Sequence, residues 1–175
     1  AFAKKGAKIA INSHETDNGA LNKLSKLTEC YFIQSDLSTI DGNKKLIEEA
    51  NTKLGKIDTL INNAGTFQDT DFENINEENF DKTFNLNVRG YMFTSREFVK
   101  QISNDQNNSS IICIGSSNSL AAEKNSVMYD TSKGAVLMMI KSMAISLASK
   151  NIRVNGIGPG ILETPLTSEG LNKGN

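Results

Sequence analysis

Five short apolar runs, each separated from the next by a polar or helical stretch, restrict this chain more than any other feature. They are 8–12 (KIAIN), 31–33 (YFI), 57–61 (IDTLI), 110–114 (SIICI) and 152–157 (IRVNGI). Ile111 to Ile114 is apolar at every position, the pattern of a strand covered on both faces. The stretches between them carry a helical period. Ala20, Leu21, Leu24 and Leu27 form one stripe. Leu46, Ile47, Ala50 and Leu54 form a second, with Ser38 or Thr39 placed to cap the helix and Gly55 to end it. Phe80, Phe84, Leu86, Val88, Met92 and Phe93 form a third, within a single helix from Glu77 or Asn79 to Gln101. A last apolar run, Gly134 to Leu147, reads as a helix, and Gly6-Ala7 as the end of one. Strand and helix in strict alternation predict an α/β fold with a doubly wound, mostly parallel sheet between two helix layers. No change of composition marks a linker, so one domain is expected.

Charge and composition remove several function classes. The formal net charge is -1, which provides no basic field for nucleic acid or an anionic membrane surface. No apolar run approaches the roughly 20 residues of a membrane-spanning helix. Cys30 and Cys113 lack metal-ligand spacing and read as buried free thiols of a cytoplasmic protein. His14 is the only histidine, which leaves little for a histidine-based triad or metal centre.

In an open parallel sheet, ligands collect beyond the carboxyl ends of the strands. The chemically active residues of this chain fall there: Asn12-Ser13, Asp36, Asn62 to Gly65, Gly115 to Ser117, and Gly158 to Gly160. Beside them, Tyr129 and Lys133 stand at i and i+4, which places both on one face of the final helix. An ammonium next to a phenol favours the phenolate and lowers its pKa from about 10. A phenol tuned in this way can exchange a proton with a carbonyl or alcohol oxygen.

Together these residues resemble the short-chain dehydrogenase/reductase family, nicotinamide-dependent enzymes with a Rossmann-type three-layer α/β/α fold. The resemblance rests on Asn62-Asn63-Ala64-Gly65, Asn87 in Asn87-Val88-Arg89-Gly90, Gly115-Ser116-Ser117, Tyr129-Asp130-Thr131-Ser132-Lys133, and Gly158-Pro159-Gly160 with Thr164 beyond. It implies that Tyr129 is the acid or base, and that Lys133 tunes it and holds the nicotinamide ribose. A serine would hydrogen-bond the substrate oxygen, and Asn87 would hold a water behind Lys133. Ser116 and Ser117 compete for the serine role; neighbours in extended chain point opposite ways, and Ser116 is preferred. The cofactor-binding set implied is Ser13, Asp36, Leu37, Asn63, Ala64, Gly65, Tyr129, Lys133, Pro159, Gly160, Leu162 and Thr164. Ser13 stands where an acidic residue would select NAD, so NADP is favoured over NAD. Asp36 has a simpler reading as a local cap. The expected substrate is a small carbonyl or secondary alcohol. A homodimer or homotetramer would form through the helices over Phe80–Ile102 and Tyr129–Leu147, to which Met138, Met139 and Met143 could contribute. A non-catalytic dinucleotide sensor on the same fold, and a related epimerase or dehydratase, are the alternatives. The first would have no need of Ser116, Tyr129, Lys133 and Asn87 together. The NNAG element argues against the second.

The sequence departs from the family at both ends. No glycine-rich TGxxxGxG turn precedes residue 8, and no final strand follows residue 157. The expectation is therefore that residues 1–175 are a single dinucleotide-binding and catalytic domain incomplete at both ends, part of a chain of roughly 240–260 residues. The family's first strand lies between the strands that would hold Ile9 and Leu60. Those two segments are then expected about 10 Å apart and unpaired.

Overall fold

The apolar runs form three parallel ladders. The computed structural model describes residues 1–17, 19–102 and 108–162. β1 (Ile9–Ser13) pairs with β2 (Cys30–Gln34), with Ile9 opposite Cys30 and Ser13 opposite Gln34. β3 (Thr59–Asn62) pairs with β4 (Ser109–Ile114), and β4 with β5 (Ile152–Ile157). The strands lie in two sheets, β1-β2 and β3-β4-β5. β1 and β3 are not paired with each other, as the resemblance implies. A cleft of about 750 Å³ separates them, lined by Ile9, Ile11, Ile47, Ala50, Leu60 and Tyr91 among others.

The helices are α1 (Ala20–Leu24), α2 (Ile40–Leu54), α3 (Glu77–Phe84), α4 (Tyr91–Gln101) and α5 (Val127–Leu147). Thr39 caps α2 by accepting the Gly42 N–H at 3.0 Å, and Gly55 ends it at φ 76°. Gly42 has a steric reason as well: a Cβ there would stand 1.9 Å from the Asp36 carbonyl oxygen, so the turn entering α2 passes directly over this glycine. The single helix expected over 77–101 is interrupted. Residues Asn85–Gly90 form a π-helical turn between α3 and α4. Two constraints meet in it. Asn87 is fully buried and bonded to another loop, and a Cβ on Gly90 would stand 2.9 Å from the Leu37 carbonyl. An extra residue in the turn accommodates both, the usual setting of a π-bulge at a functional site. Of the two free cysteines, Cys113 is buried, but Cys30 is only half-buried because its edge of the small sheet is thinly covered.

The main core surrounds β4. Ile111 and Cys113 pack with Tyr91 and Phe98 of α4, Val136 and Met139 of α5, and Ile152 and Val154 of β5. Burying each large side chain contributes roughly 1.5–3 kcal/mol. A smaller cluster of Ile33, Leu46 and Ala50 holds β2 to α2. Of the three α5 methionines, Met139 and Met143 belong to the core, and Met138 is exposed. Among the described residues, no helix is long and apolar enough to cross a membrane.

Candidate active site

The carboxyl ends of β3, β4 and β5 converge on the first turns of α5. The Gly115 N–H donates to the Ile157 carbonyl at 2.7 Å, and the Ser117 N–H to the Pro159 carbonyl at 2.8 Å. These bonds carry the β4–β5 pairing past the strand ends, so that Ser116 and Pro159 lie in adjoining segments. A Cβ on Gly158 would stand 3.4 Å from the Ser116 carbonyl oxygen.

Lys133 occupies the centre of this region. Its residue is 4% exposed, and its Nζ donates to the Ile114 carbonyl at 2.9 Å. That carbonyl also accepts the Tyr91 hydroxyl at 3.2 Å. The ammonium stands over two rings, 5.5 Å from the centroid of Tyr91 and 5.6 Å from that of Tyr129. Burial pulls the Lys133 pKa down to about 8, and neighbouring Cys113 opposes part of that shift. Burial likewise pushes the Tyr91 phenol far above its ordinary value, so it stays protonated. Tyr129 is half-buried, and its ring meets Phe67 edge-on, with centroids 5.2 Å apart.

Asn87 and Gly65 border the lysine. Asn87 Oδ1 accepts the Thr66 N–H at 2.9 Å, and its Nδ2 donates to the Thr66 carbonyl and to Ser132 Oγ, both at 3.0 Å. Ser132 Oγ in turn donates to the Tyr129 carbonyl at 2.7 Å. Both amide hydrogens of Asn87 thus go to protein acceptors, and the side chain clamps the loop after β3 onto α5. A Cβ on Gly65 would stand 3.3 Å from Asn87 Oδ1 and 3.8 Å from Lys133 Nζ. A side chain here would crowd Asn87 Oδ1 and come into contact with the ammonium.

The structure brings Asn87, Ser116, Tyr129 and Lys133 into one region, along with Asn63, Ala64, Gly65, Pro159 and Gly160. Ser116 is half-buried and Ser117 exposed. Ser13, Asp36 and Leu37 lie at or just beyond the carboxyl ends of β1 and β2, in the other sheet. Ser13 Oγ accepts the Glu15 N–H at 3.1 Å, and Asp36 Oδ1 accepts the Ser38 N–H at 2.9 Å. Asp36 therefore does have the local turn-forming bond that its simpler reading supposed. Leu162 is exposed, and Thr164 lies outside the described residues. Sequence reasoning passed over Tyr91 and Ser132. Ser132 lies inside the Tyr129–Lys133 motif, and its one signal is a small hydroxyl on the buried side of that helical turn.

Residues 1–173 match the family model for short chain dehydrogenase. The chain belongs to the short-chain dehydrogenase family. A relative from the family, the NADPH-dependent aldehyde reductase 1 of Arabidopsis thaliana, is 31% identical, and the alignment covers 98% of this chain and 62% of the relative. The 3-oxoacyl-(acyl-carrier-protein) reductase of Thermotoga maritima is 32% identical, with 96% and 69% covered. Among solved structures of the family, a 3-oxoacyl-(acyl-carrier protein) reductase from Brucella melitensis in complex with NAD superposes with a TM-score of 0.92 at 29% identity. It covers 98% of this chain and 70% of that one. A gluconate 5-dehydrogenase from Burkholderia cenocepacia in complex with NADP and tartrate gives 0.87 at 25% identity. The chain thus spans roughly 60–70% of the length of such relatives.

Proposed function

We propose that the protein is a nicotinamide-dependent oxidoreductase that interconverts a carbonyl and a secondary alcohol, with NADP favoured over NAD. One observation carries the reading: the Lys133 cation is buried beside the Tyr129 ring, and among the described residues no carboxylate pairs with it. A buried unpaired cation opposes folding, and a site that retains one beside a phenol is suited to moving a proton.

In carbonyl reduction, Tyr129 gives its hydroxyl proton to the substrate oxygen, and the Lys133 charge stabilises the phenolate left behind. Ser116 donates a hydrogen bond to the same oxygen as negative charge gathers there. In alcohol oxidation the proton moves the other way. The nicotinamide, when bound, supplies or accepts the hydride. The residues fit such a group: Lys133 Nζ keeps N–H bonds beyond the one to Ile114, and Gly65 places no side chain against it. Ser13 at the end of β1 brings no carboxylate to repel a 2′-phosphate, which is the basis for favouring NADP. Asp36 and Leu37 would flank the adenine end. Met92, Met138 and Ile145 are exposed on α4 and α5 and offer an apolar face for a second copy in a homodimer or homotetramer, readable by sedimentation equilibrium.

The test is absorbance of NADPH and of NADH with a panel of aldehydes, ketones and 3-oxoacyl thioesters. Turnover is expected with at least one carbonyl, faster with NADPH. Tyr129→Phe should abolish turnover while leaving cofactor binding largely intact. Turnover that survives this change overturns the assignment of Tyr129.

A further inference from the structure

Asp130 follows Tyr129 directly, and its side chain leaves the helix to bind the loop after β4. Its Oδ1 accepts Asn118 Nδ2 at 2.7 Å, and its Oδ2 accepts the Glu123 N–H at 2.9 Å. An acidic residue in the first turn of a helix is ordinary, since it complements the positive end of the helix dipole. That role needs no partner outside the helix, yet here both oxygens are committed to one loop at two points.

The bond to Asn118 has a consequence at Ser116. With Nδ2 directed to a carboxylate, the Asn118 amide must present Oδ1 to the other side. There Oδ1 accepts from Ser117 Oγ at 3.3 Å and from Ser116 Oγ at 3.4 Å. The Asn118 backbone N–H, meanwhile, donates to Ser116 Oγ at 3.1 Å. Ser116 is therefore held as an acceptor by the backbone, while its own hydrogen is held only by a long bond, weak at that distance. Ser117 Oγ remains to satisfy Asn118 Oδ1 when Ser116 turns its hydrogen elsewhere. On the next turn of α5, the Lys133 carbonyl accepts Ser119 Oγ at 3.0 Å, a second stitch between the same loop and helix.

We propose that Asp130, acting through Asn118, is a positioning residue that sets Ser116 as a hydrogen-bond donor toward the oxygen that exchanges its proton with Tyr129. The proposal rests on the reading of Ser116 given above. Asp130 and Tyr129 are consecutive on one helical turn, so the same short segment sets the acid and the placement of the donor. Nothing in the motif around Tyr129 requires an acidic residue at this position; the requirement comes from Asn118.

The experiment compares Asp130→Ala, Asn118→Ala and Ser116→Ala, each alone, with Asp130→Ala combined with Ser116→Ala. The probe is NADPH with the carbonyl of the panel that is turned over fastest. Asp130→Ala and Asn118→Ala are each expected to lower kcat on the order of 10–100-fold, with little change in KM for NADPH, as misplacement of a reacting group does. In the Ser116→Ala background, Asp130→Ala should cost less than about threefold, because the donor it places is already gone; coupling of this kind is what a mutant cycle measures. A purely structural role would lower activity equally in both backgrounds, and that outcome overturns the proposal. If Ser116→Ala alone leaves kcat unchanged, the reading of Ser116 fails and the proposal with it. A readout independent of turnover is amide exchange in residues 115–125. Asp130→Ala should accelerate it without altering exchange in β4, and unchanged exchange in the loop also overturns the proposal.

Discussion

Lys133→Met should make the cofactor-free protein more stable at neutral pH. In the folded chain the lysine pKa falls from its ordinary 10.5 to about 8, chiefly because burial disfavours the charge. At about 1.4 kcal/mol for each tenfold change in proton affinity, the charged side chain opposes folding by about 3 kcal/mol at pH 7. Methionine is unbranched, of similar reach and suited to a helix, so it can fill the space. The carbonyl it abandons is not orphaned, since Ile114 O keeps the Tyr91 hydroxyl. Some of the gain is lost with the contacts to the two rings, which leaves about 1–3 kcal/mol of net stabilisation. The effect depends on pH in a fixed direction. Below pH 8 the lysine is protonated in both states, and the opposition is at its full size. Between pH 8 and 10.5 the unfolded chain holds the proton that the folded chain has released, so wild-type stability rises with pH. The advantage of Lys133→Met should therefore shrink by about 2–3 kcal/mol between pH 7 and pH 10. Urea unfolding of both proteins at the two pH values, with equal m-values, measures it. A variant less stable than wild type by more than about 1 kcal/mol at pH 7 would show that the buried charge does not oppose folding. So would a difference that does not change with pH.

Three other substitutions test separate parts of the structure. Ser116→Ala should lower kcat on the order of 10²–10³-fold, the usual cost of one oxyanion donor, while Ser117→Ala stays within a few-fold of wild type; steady-state kinetics decides between the two serines. Gly42→Ala should destabilise by about 2–4 kcal/mol in chemical denaturation, because its Cβ would displace the Asp36–Thr39 turn and with it the Thr39 cap. A loss below about 0.5 kcal/mol would show that the turn gives way freely.

Much of this architecture is legible in the sequence because it depends on periodicity. The apolar run at 111–114 reads as a strand covered on both faces; Ile111 and Cys113 sit in the core, while Ile112 and Ile114 on the opposite face are half-buried. The four-residue spacing of Tyr129 and Lys133 required a shared helix face, and α5 provides it. What was not legible depends on bonds between distant residues. The stripe from Phe80 to Phe93 reads as one helix, because nothing in its local pattern reveals that Asn87 is tied to Thr66 or that Gly90 touches the Leu37 carbonyl. Asn43 reads as a polar residue beside an apolar stripe. In the fold it is buried, with Nδ2 donating to the Leu37 carbonyl at 3.1 Å and Oδ1 accepting the Thr94 hydroxyl. Asn118 reads as loop until Asp130 is found within its reach.

The candidate site draws its residues from two sheets. Ser13, Asp36 and Leu37 are attached to the β1–β2 pair, while Asn87, Ser116, Tyr129 and Lys133 are attached to β3–β5 and their helices. The helix layer ties the two sets together: α2 rests on α4, Asn43 is bonded to Thr94, Asn51 to Gln101, and Arg89 to the Ser38 carbonyl. A change in how α2 seats on α4 would therefore be felt as a change of spacing between the two groups of side chains, even though no residue of either group is altered.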